Sequence, residues 1–135
     1  MQQQLKQVAT FQRAFGQSVG SVPTLIDKET AELRYALMKE ENEEYLEAVQ
    51  NNDLIEIADA LGDQLYILCG TILEHGMQNI IEKVFEEIQK SNMSKLDDAG
   101  LPIINGENGV LDESRPLGKV LKSKNFFPPN LKQFL

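Results

Sequence analysis

A chain of 135 residues, 41% of them hydrophobic, is long enough for one domain with a buried core. Its net charge of −8 argues against a nucleic-acid polymer as partner, because binding a phosphate backbone needs a basic face. The first residues lack a signal-peptide core, no apolar run is long enough to span a bilayer, and Cys69 stands alone, so no internal disulfide forms and a reduced cytoplasmic setting is expected.

Four helices are predicted before a turn-rich tail. The first spans about Gln4 to Phe15, with Leu5, Val8, Phe11 and Phe15 on one side and Gly16 as its stop. A loop with Gly20 and Pro23 leads to the second, from about Lys28 to Gln50, with Asp27 as N-cap. Asn51, Asn52 and Asp53 make a short turn, so the third helix is an antiparallel neighbour of the second. That third helix runs from about Leu54 to Glu74 and ends at His75-Gly76. The fourth runs from about Gln78 to Ser91, with Ile80, Ile81, Val84, Phe85 and Ile88 facing inward. Beyond Leu96 the chain is punctuated by Gly100, Pro102, Gly106, Gly109, Pro116, Gly118 and Pro128-Pro129. Residues 101–111 are read there as a small hairpin. The expected architecture is one all-α domain over residues 1–135: a four-helix body, residues 1–95, and an irregular tail, residues 96–135.

Charge is uneven along this plan. Residues 1–94 hold 16 acidic and 7 basic side chains, residues 95–135 hold 5 and 6. An acidic body with a slightly basic tail suits an anionic substrate held to the body by metal and clasped by the tail, although charge balance by itself favours a solvated helical body with an ordinary tail. The sharper feature lies between Glu40 and Asp63, where nine acidic residues occur without one Lys or Arg. At about 100° per residue, Leu33, Leu37, Glu41, Glu44 and Ala48 share one face of the second helix. Two carboxylates thus interrupt an apolar stripe, and Glu40 flanks it. On the third helix Glu56, Asp59 and Asp63 form a line that continues as Tyr66, Ile67 and Gly70.

A turn at Asn51–Asn52 sets the register between the lines. It places Glu44 opposite Asp59, Glu41 opposite Asp63, and Glu56 opposite Glu47. Carboxylates brought this close raise one another's pKa or require a cation. All-oxygen ligands suit Mg²⁺ or Mn²⁺. The competing reading is an ordinary pair of acidic helix surfaces.

The segments Glu40-Glu41-Asn42-Glu43-Glu44 and Ala58-Asp59-Ala60-Leu61-Gly62-Asp63 resemble the all-α NTP pyrophosphohydrolases, the superfamily of the MazG-like and phosphoribosyl-ATP pyrophosphohydrolases. Their mark is E-x-x-E on one helix and E-x-x-D on the next, together holding Mg²⁺. Glu41 and Glu44 match the first half, and Leu61-Gly62-Asp63 resembles the L-G-D of MazG-type second halves. The glutamate expected three residues before Asp63 falls on Ala60. Asp59 beside it is the substitute that the register suggests, whereas Glu56-Ile57-Ala58-Asp59 fits E-x-x-D literally, so two ligand sets remain open on this helix. Ser91-Asn92-Met93-Ser94-Lys95 and Gly118-Lys119-Val120-Leu121-Lys122 resemble the tail of one bacterial and phage branch.

The resemblance implies cleavage of a nucleoside triphosphate between the α- and β-phosphates. It implies metal ligation by Glu41, Glu44, Asp59 and Asp63, with Glu40 as the candidate that orients or deprotonates water. Asn92, Lys95, Lys119 and Lys122 are the candidates for binding substrate. A homodimer or higher homo-oligomer is expected, because superfamily members pair helices across subunits. Other residues have ordinary roles: His75 as a helix C-terminal residue, Cys69 as core, Gly62 and Gly70 as points of close helix approach. Two further classes stay open, a carboxylate-bridged dimetal bundle and a non-catalytic helical interaction protein. The first usually carries Glu-x-x-His pairs, and the only histidine, His75, lies outside such spacing.

Overall fold

The structure is a computed structural model that describes residues 1–135. It is all-α: α1 (Gln2–Ala14), α2 (Lys28–Gln50), α3 (Leu54–Glu74) and α4 (Ile81–Met93), with a 3-10 turn at Leu131–Phe134 and no strand. No helix is long and apolar enough to cross a membrane. The chain forms two compact units, Met1–Ile81 and Glu82–Leu135. Ile81, the first residue of α4, falls in the first unit and the rest of α4 in the second.

In the first unit, α2 and α3 make an antiparallel hairpin and α1 packs on α3. Local chemistry sets both ends of the hairpin. Asp27 caps α2, accepting from Thr30 N and Thr30 Oγ1, each at 2.8 Å. These bonds lower the Asp27 pKa, the backbone one most. At the tip Asn52 takes a left-handed conformation (φ 54°), which asparagine tolerates better than most residues. Asp53 then caps α3 through Ile55 N and Glu56 N at 3.0 and 3.2 Å. One of the nine acids is thus spent on a helix end.

The core is small and lies between α1 and the C-terminal half of α3. Leu5, Val8 and Ala9 meet Cys69, Ile72 and Leu73, with Val19, Met77 and Ile81 packed around them. Burial pushes the Cys69 thiol pKa up, in keeping with a packing role. On α1 the buried stripe is 5, 8, 9 and 12, so Gln12 is inside while Phe11 and Phe15 are exposed, contrary to the expected Phe11/Phe15 face. The stripe advances one residue further than a Leu5–Val8–Phe11–Phe15 line allows. The loop after α1 crosses the end of α3 closely. Gly20 N donates to Leu73 O, Thr24 N donates to His75 O, and the His75 ring meets Thr24 O at 2.8 Å. A Cβ on Gly76 would sit 2.1 Å from Val22 O, so this crossing needs glycine, which also adopts φ 67° there.

The second unit is turn-rich but organised. Asn105 is 1% exposed, and its Nδ2 donates to the carbonyls of Asp112, Arg115 and Pro116 at 2.9–3.1 Å. Its Oδ1 accepts from Asp112 N at 2.7 Å. Residues 101–111 are not a hairpin: Ile104 instead makes a single antiparallel bridge with Val120. Asn105 satisfies the carbonyls that a strand ladder would otherwise pair. Two residues expected inward on α4, Phe85 and Ile88, are 61% and 37% exposed.

Candidate functional site

The α2–α3 pairing can be read from its cross-links. Gln64 Nε2 donates to Glu41 O at 3.2 Å. One turn further along, Arg34 Nη2 donates to Ile67 O and Arg34 Nε to Thr71 Oγ1. At the other end Glu47 and Glu56 line one cleft of about 310 Å³ together with Glu44 and Asp53. Glu41 is therefore level with Asp63, and Glu47 with Glu56.

Around Glu41 the acids gather. Its Oε2 is buried and has no hydrogen-bond partner in the protein. Burial pushes its carboxyl pKa up, and the charges of Glu44, Asp63, Glu40 and Asp59 push it further in that order. Glu56 is not among the groups acting on Glu41, and it faces the hairpin tip instead. Glu43 pairs on the surface with Lys39 at 3.5 Å. Ala60, where the motif expects glutamate, is 3% exposed, while Asp59 beside it is exposed. No three acidic side chains meet closely enough to form a ready-made metal cage. Glu41 Oε2 is the buried oxygen of this group that no protein donor satisfies. A hard, oxygen-loving divalent cation fits this donor set.

The other candidates lie in the second unit. Lys95 Nζ donates to Asn92 Oδ1 at 2.7 Å, so two of the expected substrate ligands are partners. Lys95, Lys119 and Lys122 line one pocket with Arg115 and Asp112. Arg115 is paired with Asp112 at 3.3 Å, and the Lys122 ammonium sits 4.2 Å from the Phe126 ring centre. Lys124 is engaged elsewhere, with Asp98.

Three residues near the acids are absent from the motif reading. Arg34 is 8% exposed, and its pKa is lowered by burial and partly restored by Glu74. Gly70 leaves room for its guanidinium, since a Cβ there would lie 2.6 Å from Nη2. Gly62, by contrast, has nothing within 4 Å of a Cβ, so no close approach explains it within this chain. Gln12 and Glu74 are buried beside one another, Gln12 Nε2 donating to Glu74 Oε1 while Ser18 Oγ donates to Glu74 Oε2. Arg34 and Gln12 were legible in principle. Each sits seven residues along a buried stripe from an inward position, Arg34 from Glu41 and Gln12 from Leu5.

The family model for phosphoribosyl-ATP pyrophosphohydrolase matches residues 8–92, from the middle of α1 through nearly all of α4. The chain belongs to the phosphoribosyl-ATP pyrophosphohydrolase family. That family falls within the MazG-like all-α NTP pyrophosphohydrolases, as the paired acids suggested. A curated relative, an uncharacterized protein of Acanthamoeba polyphaga mimivirus, is 36% identical over 92 residues. The match takes in 65% of this chain and 37% of that protein, so the chain spans little more than a third of the relative's length.

Proposed function

We propose that this protein is a divalent-metal-dependent pyrophosphohydrolase that cleaves a nucleoside triphosphate, or a related nucleotide, between its α- and β-phosphates. The observation that carries the reading is the buried, partnerless Glu41 Oε2 among Glu40, Glu44, Asp59 and Asp63, in a chain of this family. Glu41, Glu44, Asp59 and Asp63 would hold Mg²⁺, with Mn²⁺ as a substitute. A bound ion of this kind neutralises phosphate charge and makes water a better nucleophile. Glu40, exposed on the flank of the stripe, accepts the proton of the attacking water. Water oxygen bonds to the α-phosphorus, and the bond from that phosphorus to the bridging oxygen breaks. The electron pair leaves on pyrophosphate.

Within the second unit, Lys95, Lys119 and Lys122 gather positive charge around one pocket, with Asn92 accepting from Lys95, and that charge suits a phosphate group. A homodimer is part of the proposal. Leu54 and Ile55 at the start of α3 are 78% and 79% exposed, and Leu46 and Leu61 are 55% and 50% exposed, more apolar surface than one hairpin leaves uncovered without cause. The deciding experiment is a nucleotide panel with Mg²⁺ or Mn²⁺, in which pyrophosphate and orthophosphate are measured separately. Pyrophosphate with the nucleoside monophosphate, abolished by EDTA, supports the reading. Orthophosphate with the diphosphate as main products refutes it.

A further inference from the structure

A cavity of about 470 Å³ lies wholly within the unit Glu82–Leu135, lined among others by Lys95, Asp112, Arg115, Lys119 and Lys122. All of these residues lie beyond 8–92, so the family match does not reach the pocket. Its charge runs against that of the chain. The whole protein carries −8, whereas four cations against one carboxylate leave this wall at +3. A cleft lined by one sign of charge focuses the field and concentrates ions of the other sign.

Hydrogen bonds remote in sequence hold the cations on one scaffold. Asn105 Nδ2 fixes the carbonyls of Asp112 and Arg115, and Asn105 N donates to Lys119 O at 2.9 Å. Leu121 N donates to Ile103 O at 2.8 Å. Ser123 Oγ donates to Ser94 O and Leu96 O, which flank Lys95, at 3.2 and 2.7 Å. The contacts of the four side chains leave most of their charge in place. Lys95 donates to a neutral amide oxygen, Lys122 rests over a ring face, and no hydrogen bond or ion pair engages the Lys119 ammonium. Arg115 meets Asp112 through Nε, so both Nη groups stay available for a forked bond to phosphate oxygens. Like charges on one wall repel, and a ligand of opposite sign relieves the repulsion. One phosphate group carries about −2 at neutral pH, short of the wall's +3, so a chain of two or more balances it better.

We infer that this pocket binds a condensed phosphate, a chain of two or more phosphoryl groups, without a metal ion. The inference goes beyond the hydrolase reading and stands without it, since neither the acids of α2 and α3 nor their cation takes part. The full chain is titrated in EDTA with inorganic pyrophosphate, with a nucleoside diphosphate (ADP) and with orthophosphate, each followed by calorimetry and by amide NMR shifts. Pyrophosphate or ADP should bind at least about tenfold more tightly than orthophosphate, as one added charge-assisted contact provides. The shifts should centre on Lys95 and residues 112–122. Lys119 and Lys122 are exposed, so replacing them leaves the fold intact. Lys119→Ala with Lys122→Ala should weaken binding of the tighter of the two ligands about tenfold or more, and Lys119→Arg with Lys122→Arg should retain it. The two ligands also separate the sources of the phosphate chain. ADP binding at least as tightly as pyrophosphate points to a nucleotide, and tighter pyrophosphate points to a free condensed phosphate. Equal affinity for orthophosphate, shifts confined to residues 40–63, or unchanged affinity in the alanine variant overturns the inference. Failure of the hydrolase reading shows separately, as no pyrophosphate release in the metal-loaded nucleotide panel.

Discussion

Two glycines on one helix should respond oppositely to the same substitution. Gly70→Ala puts a Cβ 2.6 Å from Arg34 Nη2 and 3.3 Å from its Cζ, closer than atoms tolerate. The guanidinium must leave its bond to Ile67 O at 2.6 Å, and pivoting strains the Thr71 bond at 3.0 Å. A hydrogen bond from a charged donor is worth about 1.5–3 kcal/mol. Replacing glycine by alanine inside a helix returns about 1 kcal/mol. If only the Ile67 bond is lost, the net destabilisation is about 0.5–2 kcal/mol; losing both bonds raises it to about 2–5 kcal/mol. At about 3–4 °C per kcal/mol for a chain of this length, a loss of about 2 kcal/mol lowers Tm by roughly 6–8 °C. Gly62→Ala meets nothing within 4 Å and should gain the full helix-propensity term of about 1 kcal/mol. Thermal and urea melts of both variants in EDTA decide the matter. Equal shifts in one direction, or a Gly70→Ala protein as stable as the parent, would show that Arg34 is not held by the space Gly70 leaves. A destabilised Gly62→Ala would instead indicate that another copy covers Gly62.

Three more outcomes follow from the same geometry. Asp63→Asn should abolish pyrophosphate release while Glu56→Gln keeps much of it, since Asp63 acts on Glu41 and Glu56 faces the tip; the reverse pattern in a turnover assay makes the literal E-x-x-D the site. Glu41 has a raised pKa, so the folded state holds its proton more tightly than the unfolded chain, and the associated stability is present at low pH and lost as pH rises through the folded value. Glu41→Gln in EDTA should therefore raise Tm at neutral pH and lose that advantage below about pH 4; an equal gain at both pH values contradicts the charge explanation. Asn105→Ala removes four part-buried hydrogen bonds and should open residues 101–122 to limited proteolysis while α1–α3 stay protected, as read by mass spectrometry of the fragments.

The elements of this protein follow from local chemistry, and local chemistry is written in sequence. Asp27 and Asp53 cap because their side chains reach backbone N–H groups two or three residues ahead. The Asn51–Asp53 turn is too short for anything but an antiparallel return. That return sets the level of Glu41 against Asp63 by counting residues. What counting does not reveal is which polar groups the packing buries. Arg34, Gln12 and Glu74 acquire their roles from partners 37, 58 and 56 residues away, and each bond depends on how α1, α2, α3 and the loop after α1 meet. The tail shows the same limit. Its glycines and prolines announce turns, but the carbonyls of 112, 115 and 116 converge on one asparagine only when the chain has folded back on itself. Periodicity decides which face of a helix turns inward. Only tertiary packing decides which atoms on that face find a partner and which, like Glu41 Oε2 and Gln12 Oε1, are left without one, because satisfaction of a buried polar atom depends on groups remote in the chain.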